Sequence, residues 1–468
     1  MTKTRCLALL LLIVGSQVGA RTPQWSGSAQ VRVEITRRGN EWTADYQFDR
    51  EYPVWVFPRT DVTRDDLKSW RPTSWSVETR GVRLEQRGSY DVLIANRGDV
   101  PRNVRIRFTP FTKGLQDDYT PALQFTDGSV ALYIAQFDAF PMASTRDVKA
   151  LPGDLNNQVV PDAKFTYVLR DQAGPVWLRG KRQAVAQTDN KDGYVFFGSL
   201  QPIETPAMVG FVDPQLPEWI RGSLAQAIPD ILARYTQELG APPGGKPTIM
   251  LSWAGPTPGL TSRAGSVLPG LIVLTYEGSG VLSEEEGARV EGLQFIAHEA
   301  AHFWLGQTVA YEYARDAWIT EGGADLLAMR LTALEHPTYD WRDDFNKSIE
   351  DCANLTKRRG IETARTRNET RAYYACGAVF GLIAESASGK SFFTFVKKII
   401  DANRADGIVT RAEWLAALDA ASRKPDLSRD IARMLDRGVP DPKAFIASLF
   451  ERAGVSHSID AQGLPRLP

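Results

Sequence analysis

The hydrophobic pattern divides the chain into two parts. From about residue 26 to 212, apolar and polar positions alternate with a period of two, as in residues 31–35 (VRVEI) and 42–48 (WTADYQF). The breaks between these runs contain turn-forming pairs such as Gly39-Asn40. Period-two alternation interrupted by turns predicts half-buried antiparallel strands. We therefore predict an N-terminal β-sandwich or curved antiparallel sheet.

After residue 214 the pattern changes to helical spacing. Apolar residues recur every three to four positions between Trp219 and Leu239, where Pro229 predicts either two helices or a kink. Beyond residue 283 nearly every segment has a helical pattern, so the whole chain is predicted to be a multidomain α+β protein. The predicted divisions are a leader at 1–20, a β domain at 21–212, a mainly helical domain at 213–439 and a short C-terminal helical extension at 440–468.

The first twenty residues have the pattern of a secretory signal peptide. Lys3 and Arg5 precede an apolar run at residues 7–14, and small residues lead to a predicted cleavage point after Ala20. The apolar run is too short to span a bilayer, and no later segment is apolar enough to do so. We therefore expect an exported protein, periplasmic or extracellular, without a transmembrane segment.

Composition and charge exclude some functions. The 468 residues are 43% hydrophobic and 24% charged, as in folded globular proteins, so disorder throughout is excluded. Lys and Arg number 55 against 56 Asp and Glu, a net charge of −1 with no basic block. This balance argues against a nucleic-acid-binding protein.

Two cysteines remain once the leader, with Cys6, is removed. In an oxidising compartment Cys352 and Cys376 are expected to form a disulfide. The alternative is a pair of buried thiols.

One segment carries a metal-binding pattern. Residues 294–306 (QFIAHEAAHFWLG) contain His298, Glu299 and His302 in a His-Glu-x-x-His arrangement, flanked by apolar residues at helical spacing. On a helix, residues four apart lie one turn above each other, so both imidazoles can bind the same ion while Glu299 lies beside it. The segment therefore predicts a zinc site with an adjacent carboxylate base.

A catalytic zinc ion needs a third protein ligand. Downstream carboxylates at Glu312, Asp316, Glu321 and Asp325 are candidates by proximity in sequence. The remaining histidines, His336 and His457, have no supporting sequence context as ligands.

The residues around the third-ligand candidates resemble the gluzincin metallopeptidases, most closely the aminopeptidase N and leukotriene hydrolase family. That family places a ligand Glu after the second His, with 18 residues between the two, in a Trp-Leu-x-Glu-Gly-x-Ala context, which residues 318–324 (WITEGGA) match. Residues 304–307 (WLGQ) are similar to the family's Trp-Phe-Gly-Asn. The resemblance implies Glu321 as the third ligand and one Zn²⁺ per chain. It also implies a saddle-like β domain before a mainly helical, thermolysin-like catalytic domain with a small edge sheet.

The resemblance extends to two further side chains. The family's Tyr-x-Lys-Gly-Ala is matched at residues 374–378 (YACGA) with Cys in place of Lys. This implies Tyr374 as the donor to the developing oxyanion, with Tyr373 as the alternative. Asp325 stands where thermolysin-like relatives place a carboxylate that hydrogen-bonds a ligand histidine; the other interpretation is a helix-surface Asp.

One motif departs from the family. Residues 265–271 (GSVLPGL) stand where the family has Gly-Ala-Met-Glu-Asn-Trp-Gly-Leu, and Leu268 replaces the Glu that binds the substrate's free amine. The sequence leaves exopeptidase and endopeptidase action open. Because only residues 440–468 follow the family-like part, the resemblance also implies a more open cleft, compatible with longer or internal substrates.

The predicted function is hydrolysis of peptide or protein substrates by a zinc-activated water, with Glu299 as general base. The alternative is a catalytically idle zinc-binding protein whose β domain binds a protein or glycan partner. A third possibility is a hydrolase of non-peptide substrates. The sequence predicts no oligomeric state.

Overall fold

The computed structural model describes residues 28–468, except 64–65, 117, 154, 156–158, 190, 192, 206–207, 243–245 and 285. The predicted signal peptide and its cleavage point after Ala20 lie outside the described residues. Within the described part of the chain, no helix combines the length and the hydropathy needed to cross a membrane.

The N-terminal part of the chain, as far as it is described, forms three β-sheets. Its strands are β1 (Ala29–Arg38), β2 (Glu41–Phe48), β3 (Val54–Val56), β4 (Trp75–Val77), β5 (Val82–Arg87), β6 (Tyr90–Ala95), β7 (Asn103–Phe108), β8 (Ala122–Gln124), β9 (Val130–Tyr133), β10 (Phe140–Met142), β11 (Ala163–Asp171), β12 (Val176–Leu178), β13 (Lys181–Gln183), β14 (Val185–Thr188) and β15 (Tyr194–Phe197). The sheet orders are β14-β11-β1-β2-β7-β4, β10-β3-β6-β5 and β13-β12-β15-β9-β8. Two short helices, α1 (Arg71–Ser74) and α2 (Thr145–Lys149), connect strands.

The period-two alternation follows the buried faces of these strands. In β1, Val31, Val33 and Ile35 are buried, and the residues between them are at least partly exposed. Most pairs are antiparallel, as predicted, but β1 pairs with β11 in parallel. Alternation shows which face of a strand is buried and does not show which strand lies beside it, so this parallel pair was not predictable from the pattern.

A mixed sheet follows and carries the edge strand of the second domain. Its strands are β16 (Ile203–Glu204), β17 (Val209–Val212), β18 (Thr248–Trp253), β19 (Ser262–Leu268) and β20 (Leu271–Glu277), in the order β16-β17-β18-β20-β19. One face packs on the helices and the other on the β domain, where Phe211 stacks on Phe196 at 4.2 Å between ring centroids. The domain boundary predicted at residue 212 stays a prediction. Strands β16 and β17, which lie before this boundary in the sequence, already belong to the mixed sheet.

Helices make up most of the rest of the chain. They are α3 (Glu218–Leu239), α4 (Glu286–Ala301), α5 (Trp318–Glu335), α6 (Trp341–Leu355), α7 (Arg371–Ser388), α8 (Phe392–Asn403), α9 (Arg411–Ser422), α10 (Pro425–Arg437) and α11 (Pro442–Ala453). Short strands β21 (Ala310–Tyr311), β22 (Ile408–Val409), β23 (Ser458–Ile459) and β24 (Pro465–Arg466) complete the described strands. α3 continues through Pro229 as one helix, so the prediction of two separate helices was wrong. The multidomain α+β class is confirmed.

Two glycines allow α5 and α7 to cross in direct backbone contact. A Cβ atom added at Gly322 would lie 2.2 Å from the Cα of Gly377, and one added at Gly377 would lie 2.1 Å from the carbonyl oxygen of Trp318. Neither position can hold a larger residue without moving a helix. On the far side of α7, Cys376 lies at disulfide distance from Cys352 of α6, with 4.9 Å between their Cα atoms. The crossing fixes α7 against α5, the two helices that contribute Tyr374 and Glu321.

Candidate active site

His298 lies in the last turn of α4, and His302 lies in the turn that directly follows the end of this helix at Ala301. The ring centroids of His298 and His302 are 4.8 Å apart, and their Nε2 atoms face each other at 3.1 Å. The spacing of four residues on one helix produces this arrangement directly.

Helix α5 adds the carboxylate. Oε2 of Glu321 lies 3.6 Å from Nε2 of His298 and 3.4 Å from Nε2 of His302. One ligand atom from each of the three residues lies within 4.8 Å of the others. The alternatives Glu312 and Asp316 do not belong to this group: Glu312 is exposed, and Asp316 is buried with a contact to Arg315.

The second ring nitrogen of each histidine has its own acceptor. Nδ1 of His298 lies 2.8 Å from Oδ1 of Asp325, and Nδ1 of His302 lies 2.8 Å from the carbonyl oxygen of Leu305. An acceptor at Nδ1 favours the tautomer with the proton there, which leaves the Nε2 lone pair free for a metal ion. Asp325 itself is 3.4 Å from the guanidinium of Arg371 on α7.

The electrostatics of this group fit a bound cation. Burial lowers the pKa of His298, but hydrogen bonds to Asp325 and Glu321 outweigh it and hold that pKa well above the ordinary value. Burial likewise lowers the pKa of His302, and the charge of Glu321 raises it further than burial lowers it. Burial raises the pKa of Glu321, yet the two histidines bring it below its usual range. Two imidazoles and a carboxylate, converging in a partly buried, negatively charged setting, are a donor set that Zn²⁺ prefers.

Glu299 lies beside the histidines against the edge strand. Its side chain is buried, and burial raises the pKa of its carboxyl group although His298 and His302 lower it. A Cβ atom added at Gly265 of β19 would lie 2.4 Å from the Cδ atom of Glu299. The glycine therefore makes the space that the carboxylate occupies.

Helix α7 brings Tyr374 to the other side of the site. Its ring stacks on His298 at 5.8 Å between centroids, and burial raises the pKa of its hydroxyl above the usual range. Tyr373, the alternative, is buried elsewhere, and its hydroxyl accepts a hydrogen bond from the backbone N–H of Arg365 at 3.3 Å. Of the two tyrosines, the structure places Tyr374 at the metal site.

These residues line a cleft of about 400 Å³. Among the described residues that line it, the only carboxylates are Glu299 and Glu321. Leu268 is buried and packs towards the β domain. In the described part of the chain, the cleft lining therefore has no third acidic group.

Sequence analysis missed two contributors to the cleft. Gln307 connects the end of the metal helix to the edge hairpin, donating from Nε2 to the carbonyl oxygen of Leu268 at 2.6 Å and accepting from the N–H of Gly270 at 3.4 Å. Its position in the WLGQ run was a signal for it. Tyr119 reaches the cleft from the β domain, and no local pattern marks it.

Comparisons with known proteins agree with this geometry. Residues 273–437 match the Peptidase family M1 domain, while no curated protein sequence matches the chain. The structure of yeast LTA4 hydrolase is similar, with 13% identity and a TM-score of 0.54 over 92% of this chain and 72% of that chain. An M1 zinc metallopeptidase from Deinococcus radiodurans has 13% identity and a TM-score of 0.47, covering 87% of this chain and 92% of its own. A two-domain M1 zinc metallopeptidase bound to L-arginine has 15% identity and a TM-score of 0.48, covering 89% and 95%.

The likeness to yeast LTA4 hydrolase shows the fold, and the family match covers the elements that contribute His298, His302 and Glu321. Residues 273–437 therefore match the peptidase family M1 domain, and this part of the chain resembles the zinc metallopeptidases of that family.

Proposed function

We propose that this protein hydrolyses peptide bonds with one Zn²⁺ held by His298, His302 and Glu321. The observation that supports this most is the convergence of these three partly buried ligands, with an oxygen atom 2.8 Å from the second ring nitrogen of each histidine. When bound, zinc lowers the pKa of a water molecule to about 7 and polarises the scissile carbonyl.

In this proposal Glu299 is the general base. Glu299 directly follows His298 in the sequence, and burial raises the pKa of its carboxyl group. A raised pKa makes a carboxylate better able to take up a proton and to return it. The proton that Glu299 accepts at its carboxylate oxygen is then delivered to the leaving amine. Gly265 keeps that carboxylate in place.

Tyr374 is proposed to donate a hydrogen bond to the developing oxyanion. Burial keeps its hydroxyl protonated, so it remains a donor at any physiological pH. Asp325 is proposed to orient His298 and to keep its Nε2 turned towards the metal. The free edge of β19 beside Glu299 supports a peptide substrate, since an extended chain can add to it by main-chain hydrogen bonds.

Metal removal tests the function as a whole. Dialysis against a chelator is expected to abolish cleavage of a peptide mixture, and one equivalent of Zn²⁺ per chain should restore it. His302→Ala should bind no zinc and cleave nothing, because two remaining ligands do not form a catalytic zinc site. Metal content and product masses are the two measurements.

His336→Ala is the control for that variant. His336 follows Glu321 by 15 residues and is the C-cap of the same helix, about 22 Å along its axis, so removing this imidazole should leave zinc content and cleavage unchanged. A protein that binds zinc and cleaves no peptide would contradict the proposal and favour the idle zinc-binding protein.

We also propose that the protein is exported, with cleavage after Ala20. The support is the pattern of residues 1–20 and the Cys352–Cys376 pair at disulfide distance, which suits an oxidising compartment. The mature protein is expected to begin at Arg21 and to contain no free thiol. N-terminal sequencing and thiol titration under denaturing conditions check this; an N-terminal Met or two titratable thiols would contradict it.

A further inference from the structure

The main chain of the edge strand β19 faces the cleft, and one of its carbonyl oxygens, near the C-terminal end of the strand, already accepts a hydrogen bond. The hydroxyl of Tyr119 donates to the carbonyl oxygen of Val267 at 3.3 Å. That carbonyl therefore points away from β20, towards the free edge. Alternate residues of a strand point their N–H and C=O groups the same way, so the main chain of Gly265 faces the same edge. A substrate strand can pair at Gly265, beside Glu299, while Tyr119 occupies the next pairing position.

Tyr119 is held firmly by the β domain. Its backbone N–H donates to Oδ1 of Asp118 at 2.8 Å, and Asp118 pairs with the guanidinium of Arg59 at 2.7 Å. Its ring meets Tyr133 edge to face at 5.0 Å, with Arg59 over the Tyr133 ring at 5.1 Å. A side chain fixed by this many contacts is an obstacle that a substrate cannot easily displace.

Among the described residues that line the cleft, none at the closed end of the groove carries a charge that would select a free amine. Burial raises the pKa of Tyr119 to about 12, so its hydroxyl is neutral. Leu268, the next residue of β19, is buried towards the β domain. Glu277 pairs across from Ser262, at the opposite end of β19, and its carboxylate accepts from the Thr257 hydroxyl at 2.6 Å. Among the described residues of the cleft, only the proposed base and the metal ligand Glu321 are acidic.

We propose that Tyr119 ends the substrate groove, so that the enzyme accepts only about two residues before the scissile bond, whether their N-terminus is free or acylated. This inference rests on the proposed peptide hydrolysis. It assumes that the substrate adds antiparallel to β19, the commoner pairing, which directs its N-terminal side towards Val267 and Tyr119. Two strand residues span about 7 Å, the distance from Gly265 to Val267 along β19. The enzyme would therefore select peptides by the number of residues before the scissile bond and not by the charge of their N-terminus.

Two ladders of synthetic peptides, each a series of increasing length, test the limit on the number of residues before the scissile bond. Both start from one peptide that the enzyme cleaves; one ladder lengthens it on the N-terminal side of the scissile bond and the other on the C-terminal side, each with free and acetylated N-termini. Beyond two residues, each N-terminal addition is expected to lower kcat/KM at least about tenfold, because it must displace Tyr119. C-terminal additions should change kcat/KM little. Acetylation should change it less than about threefold, whereas an ion-paired amine would give a tenfold or greater difference.

Substitutions of Tyr119 test whether this side chain sets the limit on the number of residues before the scissile bond. Tyr119→Ala should raise kcat/KM for the long N-terminal peptides at least about tenfold relative to kcat/KM for the shortest peptide. Tyr119→Phe keeps the ring against Tyr133 and should retain the limit. Zinc content and the melting temperature report whether each variant is folded. If Tyr119→Ala fails that check, Tyr119→Leu shortens the side chain with less loss of packing, and the same relief is expected.

The outcomes separate this inference from the proposed function. A flat N-terminal ladder, or a limit on the C-terminal side instead, would refute the role of Tyr119 while peptide hydrolysis stands. A strict requirement for a free amine would also refute the inference. If the zinc-loaded protein cleaves no peptide of either ladder, the proposed function fails, and the inference fails with it.

Discussion

Glu299→Gln is expected to lower kcat about 10³-fold while the protein keeps its zinc, within the range of 10² to 10⁴ typical of a lost general base. Gln has the shape of Glu and fits the space beside Gly265, but its amide cannot accept the proton. The metal ligands are untouched, because Glu299 is not among the three converging groups. Zinc content, the melting temperature and kcat for one cleaved peptide are the measurements.

The matched control is Glu291→Gln on the same helix. The Glu291 side chain is 66% exposed and pairs with Arg263, so the same chemical change there removes one ion pair with an exposed partner and leaves Glu299 and the three metal ligands untouched. Its kcat should stay within about twofold of the parent's, since surface substitutions of this kind have small effects. A Glu299→Gln enzyme that retains more than a tenth of the parent's kcat would refute Glu299 as the base.

The metal site was largely predictable from the sequence, because helix geometry alone places His298 and His302 together. The third ligand was not predictable in that way. Glu312, Asp316, Glu321 and Asp325 are all close in sequence, and only the turn that leads into α5 decides which of them returns to the histidines. The resemblance to a known family selected Glu321, and the structure places it there.

Long-range contacts account for most of what the sequence did not predict. Tyr119 and Val267 are 148 residues apart, and nothing local to either one records their contact. The same holds for the parallel pairing of β1 with β11. Hydrophobic period predicts the type of element and its buried face, whereas partners depend on the packing of the whole chain.

The structural role of two glycines, Gly322 and Gly377, could not be predicted from the sequence. Gly322 and Gly377 belong to the two segments that resemble the family, one beside Glu321 and the other three residues after Tyr374. In the sequence they are only positions in two motifs, with no indication that the motifs contact each other. In the structure they are the contact point of α5 and α7, which sets the distance between the third ligand and the proposed oxyanion donor.

Gly322→Ala is expected to be the most destabilising of the small substitutions near the site. The new methyl group would lie 2.2 Å from the backbone of α7, and backbone cannot rotate away as a side chain can. Overpacking of this kind costs about 1–3 kcal/mol, and contact with backbone favours the upper end even after the gain in helix propensity. A loss of about 2–3 kcal/mol should lower the melting temperature of a domain this size by about 5–10 °C.

Gly323→Ala separates packing from propensity, because it makes the same change one residue further along α5. Its methyl group would meet a terminal methyl of Leu305 at 2.6 Å, which a rotamer change can relieve, so the melting temperature should move by less than about 3 °C. Because the crossing also spaces Glu321 from Tyr374, Gly322→Ala should lower kcat at temperatures where the protein is still folded. Equal melting temperatures for the two variants would show that α5 and α7 are not held by this contact.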